Sequence, residues 1–420
     1  MLVAVVMLFV IGAMAALSID VVTLYTARSE AQLAADGAAL AGARVLANSG
    51  MTSAADSTVG IAAVPLATAV AQQVAASNPV GGRNLSQAGA CPGGEICVSI
   101  NELASNFVAN PHVTVQVQRS DLPTFFARIW GTKTVTVKAS ATAEAYNPSN
   151  APGTSASPKL RVAPSCVKPW LIPNMDPTSS ATPPTTIFDP VTGAITNSLL
   201  LGYRTAGPAT RLQARCTDCS VTPLPTPNPW QYYPGDPATT FPAPSQALPT
   251  CTPALATAYQ ESIAGCIQKP IVCNSAANID ISNYPNRNLE VTDAVNCLAH
   301  AVNNKGDEVD PTASPSPPFL FLAGDDNPVP GAAGNDVMVS DSLVTVPVFD
   351  SGSGTAPPSS TVTIVGFVQL FLSPRGRANP ANGYMRAEVI NMAGCGAGAT
   401  GTPILGNGAS PVAVRLISPP

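Results

Sequence analysis

Residues 1–47 read MLVAVVMLFVIGAMAALSIDVVTLYTARSEAQLAADGAALAGARVLA. The stretch from Met1 to Ile19 carries no charge. As a helix it covers roughly 28 Å, close to the ~30 Å hydrocarbon core of a bilayer. Asp20 closes the run, and Tyr25 and Arg28 follow at the depth of an aromatic anchor and a snorkelling cation. Two readings of the run compete. A secretory signal peptide has a shorter apolar region and a small-residue cleavage site, which Ala13-Met14-Ala15 and Ala16 supply. A retained single-pass anchor accounts better for its length and for the lack of a basic stretch ahead of it.

The segment 21–47 has no proline and continues as a helix. Ala27, Ala31, Ala34, Ala38 and Gly42 recur at three- and four-residue steps and share one nearly smooth face. Arg28, Gln32 and Asp36 repeat every four residues on another. The smooth face suits close packing either on the chain's own domain or against a second copy or a partner helix.

Composition narrows the function classes. Charged residues are 11% of the chain, far below the roughly 25% of a usual globular protein, and the formal net charge is −5. The 20 Lys and Arg are scattered, which leaves no basic footprint for nucleic acid. The chain has 43 prolines and 32 glycines without a collagen period. Ten cysteines fit an oxidising compartment. Cys91 and Cys97 flank a Pro-Gly-Gly turn that brings them within disulfide reach, a candidate pair.

Beyond the first helix the pattern is α+β. A second Ala-rich helix is expected over 60–76, with Pro65 in its first turn or at a kink. HVTVQVQR (112–119) and KTVTVKA (133–139) alternate as strands. Between them, LPTFFARIWG holds Phe125, Phe126, Ile129 and Trp130, either as a core plug between sheet and helix or as a contact with a membrane surface or partner.

The apolar span closed by Asp20, the nearby Tyr25 and the small-residue segment Ala34-Ala35-Asp36-Gly37-Ala38-Ala39-Leu40-Ala41-Gly42-Ala43, together with DLPTFFARIWGTKTVTVKASATAEA (121–145), resemble the Flp/Tad pilus-assembly TadE/TadG-like family over about residues 1–146. The resemblance implies a non-enzymatic component of a Tad-type pilus or secretion apparatus, anchored in the bacterial inner membrane. The bulk of the chain would be periplasmic or extracellular, and its partners would be pilus or secretion-system subunits. Family members carry a short basic cytoplasmic segment before the apolar run; this chain begins inside the run, and a truncated or misassigned start is expected.

From Asn147 the composition shifts. Residues 151–260 hold 20 of the 43 prolines, mixed with Cys166, Cys216, Cys219, Cys251 and with Trp170, Trp230, Tyr232 and Tyr233. Proline at this density opposes helix and central strand. The cysteines and aromatics argue for an ordered, disulfide-stapled, loop-rich surface over a floppy linker. Short helices are expected near 254–267 and 291–303, and strands at 336–349, 360–372, 383–392 and 411–417. The expected organisation is an anchor at 1–19, an α+β domain at 20–146, a Pro-rich loop region at 147–255 and a β-rich C-terminal domain at 256–420.

Constellations for catalysis, metals and cofactors do not hold together. Gly396, Gly398 and Gly401 match G-x-G-x-x-G, but Pro403 and Gly406 follow instead of a helix, so a glycine loop is expected. Cys216-Thr-Asp-Cys219 has redox spacing among prolines, where a local disulfide or bridges to other cysteines are expected. Cys266, Cys273, Cys297 and His300 are irregularly spaced for zinc. His112 opens a strand, and no G-x-S-x-G elbow accompanies it. Asp307, Glu308, Asp310, Asp325 and Asp326 lack EF-hand spacing. Larger relatives carry a metal-dependent adhesion domain with a D-x-S-x-S motif; the strings at Asp176 and Asp310 have Thr at its middle position, and no such domain is expected. No catalytic residue, metal or cofactor is therefore assigned. The alternative function is a secreted, disulfide-stapled binding or enzymatic domain.

Overall fold

In the computed structural model the described residues are 2–54, 57–87, 89, 91–101, 110–151, 159–203, 213–214, 230–245, 248–280, 284–310, 317–327, 329–337, 340–352, 357–374, 385–406 and 410–417. Cys216, Cys219, the proline run at 221–229, the start of the strand expected from 383 and the whole of the string after Asp310 lie outside them. The fold is α+β: a long N-terminal apolar helix, three further helices and mainly antiparallel sheets.

Helix α1 (Leu2–Asn48) runs unbroken for 47 residues, roughly 70 Å. Its two halves differ in what they touch. Val3, Leu8, Phe9, Ile11 and Met14 are exposed, whereas Ala27, Ala31, Ala34, Ala35, Ala38, Ala39 and Ala43 are buried. The alanine face packs on α2 (Ser57–Ser77), which contributes Ala63, Ala67, Ala71 and Ala75, and on a sheet behind it. Side chains this small let two backbones approach closely. The face read from four-residue spacing is thus filled by the chain's own domain. Pro65 lies well inside α2, because the helix starts earlier than expected. Pro65 and Ile61 are both exposed, so the carbonyl that Pro65 leaves unpaired faces outward.

Gly42 and Gly37 answer differently to an added side chain. A Cβ on Gly42 would lie 2.9 Å from Val113 Cγ1 and 3.3 Å from the Ala67 carbonyl, while one on Gly37 would meet only Val74, at 3.8 Å. Gly42→Val is expected to cost about 1–3 kcal/mol through overpacking. Gly37→Ala is expected to be neutral or to gain up to about 1 kcal/mol of helix propensity. Denaturant unfolding of the two variants side by side checks this; equal effects would remove the argument.

The sheet behind α1 has four antiparallel strands in the order β1 (Ile96–Asn101), β2 (His112–Pro123), β3 (Thr134–Tyr146) and, from the far end of the sequence, a strand at Ala413–Ile417. Val113, Val115 and Val117 alternate onto the core face. The 413–417 strand is pinned where Arg415 stands opposite Glu144. Both guanidinium contacts to the carboxylate are 2.8 Å, and the guanidinium lies 5.1 Å from the centre of the Tyr146 ring. Burial pushes the Glu144 carboxyl up, but His112 and Arg415 outweigh it and hold the group below its usual range.

A larger sheet is assembled from both later regions of the chain. Strands β4 (Trp170–Pro173) and β5 (Gln231–Pro234) come from the Pro-rich stretch, and β6 (Leu343–Phe349), β7 (Thr361–Leu372) and β8 (Ala387–Gly394) from the C-terminal third; the order is β8-β7-β6-β4-β5. The β6–β4 pair is parallel and the others are antiparallel. The strand that closes the first sheet is labelled β9 (Ala413–Ile417). Helices α3 (Ala258–Ala264) and α4 (Tyr284–Leu298) cover one face through Tyr259, Ile263, Val291 and Val295. The other face carries Leu171, Tyr233, Phe349 and Phe367. Trp170, Trp230, Tyr232 and Tyr233, the aromatics that argued for order in the Pro-rich region, are all buried. The strand expected over 336–349 divides, with Asp336–Val337 in a separate three-stranded sheet. β9 and β4–β5 also cross the boundaries expected at 146 and 255. Among the described residues four cysteine pairs stand at disulfide distance: Cys91–Cys97, Cys166–Cys266, Cys251–Cys297 and Cys273–Cys395.

The two sheets meet through buried polar groups. Asn391 and Asn147 are fully buried. Asn391 Nδ2 donates to the Ala47 carbonyl at the end of α1, and its Oδ1 accepts from Ser53 Oγ. Asn147 Nδ2 donates to the Met392 carbonyl at 2.8 Å and the Thr52 carbonyl at 3.2 Å. Gly50 turns the chain between them at φ +79°, where a Cβ would lie 2.5 Å from the Ile390 carbonyl, so only glycine fits.

Candidate functional site at the end of the apolar helix

Asp20 sits on α1 where the exposed apolar half gives way to the half held by the domain. Its side chain is buried, at 5% exposure. The carboxylate accepts backbone N–H groups from Phe125 at 2.9 Å, Phe126 at 3.0 Å and Ala127 at 2.7 Å. These amides belong to the tip of the β2–β3 hairpin. The tip closes through the Thr124 amide on the Lys133 carbonyl and the Thr132 amide on the Ala127 carbonyl. A short 3₁₀ turn at Ala127–Trp130 lies within it and ends at Gly131, φ 93°. Three donors converging on one carboxylate favour its charged form; the Ala127 amide contributes most, and together they hold the Asp20 carboxyl below its usual range.

The two segments that carry the family resemblance, the end of the apolar run and the FFARIW hairpin, are therefore joined physically through Asp20. The hairpin does not plug the core at Phe125, which stands 63% exposed. Tyr25, five residues beyond Asp20 and on another side of α1, is 75% exposed, and Arg28 is also exposed. Asp36 lies further along α1 and accepts Gln32 Nε2 at 2.7 Å; the same amide reaches the Ser140 carbonyl of β3 at 3.3 Å, a tie the sequence did not single out. Gly37 and Gly42 lie under α2, away from Asp20. Cys91 is at bonding distance from Cys97, the second residue of β1.

The remaining constellations are spent structurally. Cys266, Cys273 and Cys297 each stand paired with another cysteine, and His300 Nε2 lies 3.3 Å from Asp341. The Asp341 contact outweighs burial and holds the His300 imidazolium above its usual range. The Gly396–Gly401 loop leads into a strand at Thr400–Leu405. Asp176 accepts the Thr178 amide and hydroxyl and Asn197 Nδ2, so its string forms a local turn. Among the described residues no cluster of three or more metal-ligating side chains occurs.

What the geometry defines is a folded α+β domain carried on a helix whose free half is apolar. By length and composition α1 suffices to cross a membrane. Residues 1–45 match the family model described as putative Flp pilus-assembly TadE/G-like, so the matched segment covers the apolar run, Asp20 and the first part of the alanine face. The hairpin at 121–145 lies beyond the matched residues. No curated protein and no solved structure matches the chain.

Proposed function

We propose that the protein is a single-pass, membrane-anchored component of a Tad/Flp-type pilus assembly or secretion apparatus, acting without catalysis through protein–protein assembly outside the cytoplasm. The observation that carries this reading is the family match over residues 1–45. It falls on a helix that is exposed and apolar before Asp20 and packed into a folded domain after Ala27. Helix α2 also has the length and apolarity of a span, but Ala63, Ala67, Ala71 and Ala75 are committed to the core, which supports a single crossing. The paired cysteines support an oxidising compartment for the bulk of the chain. Expected partners are the inner membrane and pilus or secretion-system subunits. Self-association through α1 is confined to its exposed part, because the alanine face is already filled.

Alkaline carbonate extraction of the native host's membranes tests the anchor. The chain is expected to stay in the pellet, and a soluble form beginning near Ser18 would overturn the reading in favour of a cleaved signal peptide. Deleting residues 2–19 is expected to abolish pilus-dependent surface attachment, and a strain that attaches normally would count against the assembly role.

A further inference from the structure

We infer that the tip of the β2–β3 hairpin, Thr124–Lys133, is a second membrane contact, which inserts Phe125 into the headgroup layer of the bilayer that α1 crosses. The inference rests on the anchor reading above and adds to it the level and chemistry of this hairpin. The level follows from Asp20. It is the first residue after the apolar run, and its carboxylate holds the amides of Phe125, Phe126 and Ala127 within 3.0 Å. The hairpin tip is thereby fixed where the hydrocarbon ends. Headgroups occupy about 5–7 Å beyond that boundary on each side. A phenylalanine ring carried on an amide bound to Asp20 falls within this layer.

The chemistry of the tip fits the same layer. Phe125 is 63% exposed, and Leu17, three residues before Asp20 and on the same side of α1, is 53% exposed, so apolar surface lies on both the helix and the hairpin beside the Asp20 contact. The segment 122–133, LPTFFARIWGTK, has no acidic residue, and Arg128 and Lys133 are exposed. The nearest acidic side chain before the tip, Asp121, is paired with Arg83 at 3.1 Å and Arg119 at 2.9 Å. Exposed aromatic and apolar groups flanked by cations are the composition of an interfacial contact with anionic lipid. One membrane-crossing helix leaves a domain free to tilt; a second contact beside it sets the tilt.

The test uses the full chain reconstituted in vesicles of phosphatidylcholine and phosphatidylglycerol, with and without bromine-labelled acyl chains. Three variants are compared with the parent protein: Phe125→Trp, Phe9→Trp within the apolar run, and Val191→Trp, exposed in the other part of the molecule at 69%. The added tryptophan at 125 is expected to emit to the blue of that at 191 and to lose emission to brominated lipid, as the one at 9 does. Quenching at 9 but not at 125 overturns the hairpin contact and leaves the anchor standing. Absence of quenching at 9 overturns the anchor, and the hairpin contact with it.

Discussion

Asp20→Ala is expected to release the hairpin tip from α1. Three amides lose a charged acceptor. Hydrogen bonds to a charged acceptor are stronger than those between neutral groups, but water reaches the freed tip and recovers part of the loss. The amides of Phe125, Phe126 and Ala127 should exchange hydrogen faster by roughly one to two orders of magnitude, with little change in the larger sheet. Asp20→Asn keeps one acceptor oxygen and should fall between. The pH dependence has a definite sign. The folded carboxyl titrates below its ordinary value of 3.8, so its contribution is fully present above that value and is lost as pH falls through the folded one. Protection of the three amides should therefore be flat at neutral pH and decline only in acid. Unchanged protection in Asp20→Ala would show that the hairpin is held by other contacts.

Asn391→Ala should be the most damaging single change at the junction of the two sheets. The Ala47 carbonyl, at the end of α1 where the last carbonyls have no helical partner, loses its donor, and Ser53 Oγ loses one of its partners, all in a fully buried setting. An unsatisfied buried polar group costs about 1–3 kcal/mol, and the small cavity adds to it, for a total of about 3–4 kcal/mol. Asn391→Asp should be no better, because a carboxylate would face the Ala47 carbonyl without a donor. Pulse proteolysis of the full chain should show cleavage around 48–57 at lower denaturant than in the parent. Unaltered resistance would mean that the two cores hold together without this network.

Much of this architecture is legible in the sequence because it is periodic. The uncharged run before Asp20, the four-residue alanine repeat and the alternating valines of β2 and β3 each specify an element and the face it buries. Asp20 itself was legible only as the residue that ends the run. Its partners are backbone amides more than 100 positions away, and amides leave no mark on composition. The same holds for β9: the alternation at 411–417 reads as a strand, but nothing in it says that it pairs with β3 and not with its neighbours in sequence. Strands β4 and β5 were hidden because Pro173 and Pro234 close runs of four residues, too short for a period to show. Phe125 was readable as an aromatic but not as an exposed one, since exposure there is decided by the grip of Asp20 on the backbone beneath it.

The sheet packed against α1 takes its outermost strand from residues 413–417. A chain emerging from the synthesis machinery would reach the bilayer first through α1, yet its first sheet would wait, with the edge of β3 bare, until nearly everything else had been delivered. A copy truncated before 413 would leave residues 142–146 of β3 as the unpaired edge of the sheet, with Glu144 deprived of Arg415. The helix is thus made early and the sheet finished late, which makes the state of that sheet a report on whether the later part of the chain has been made.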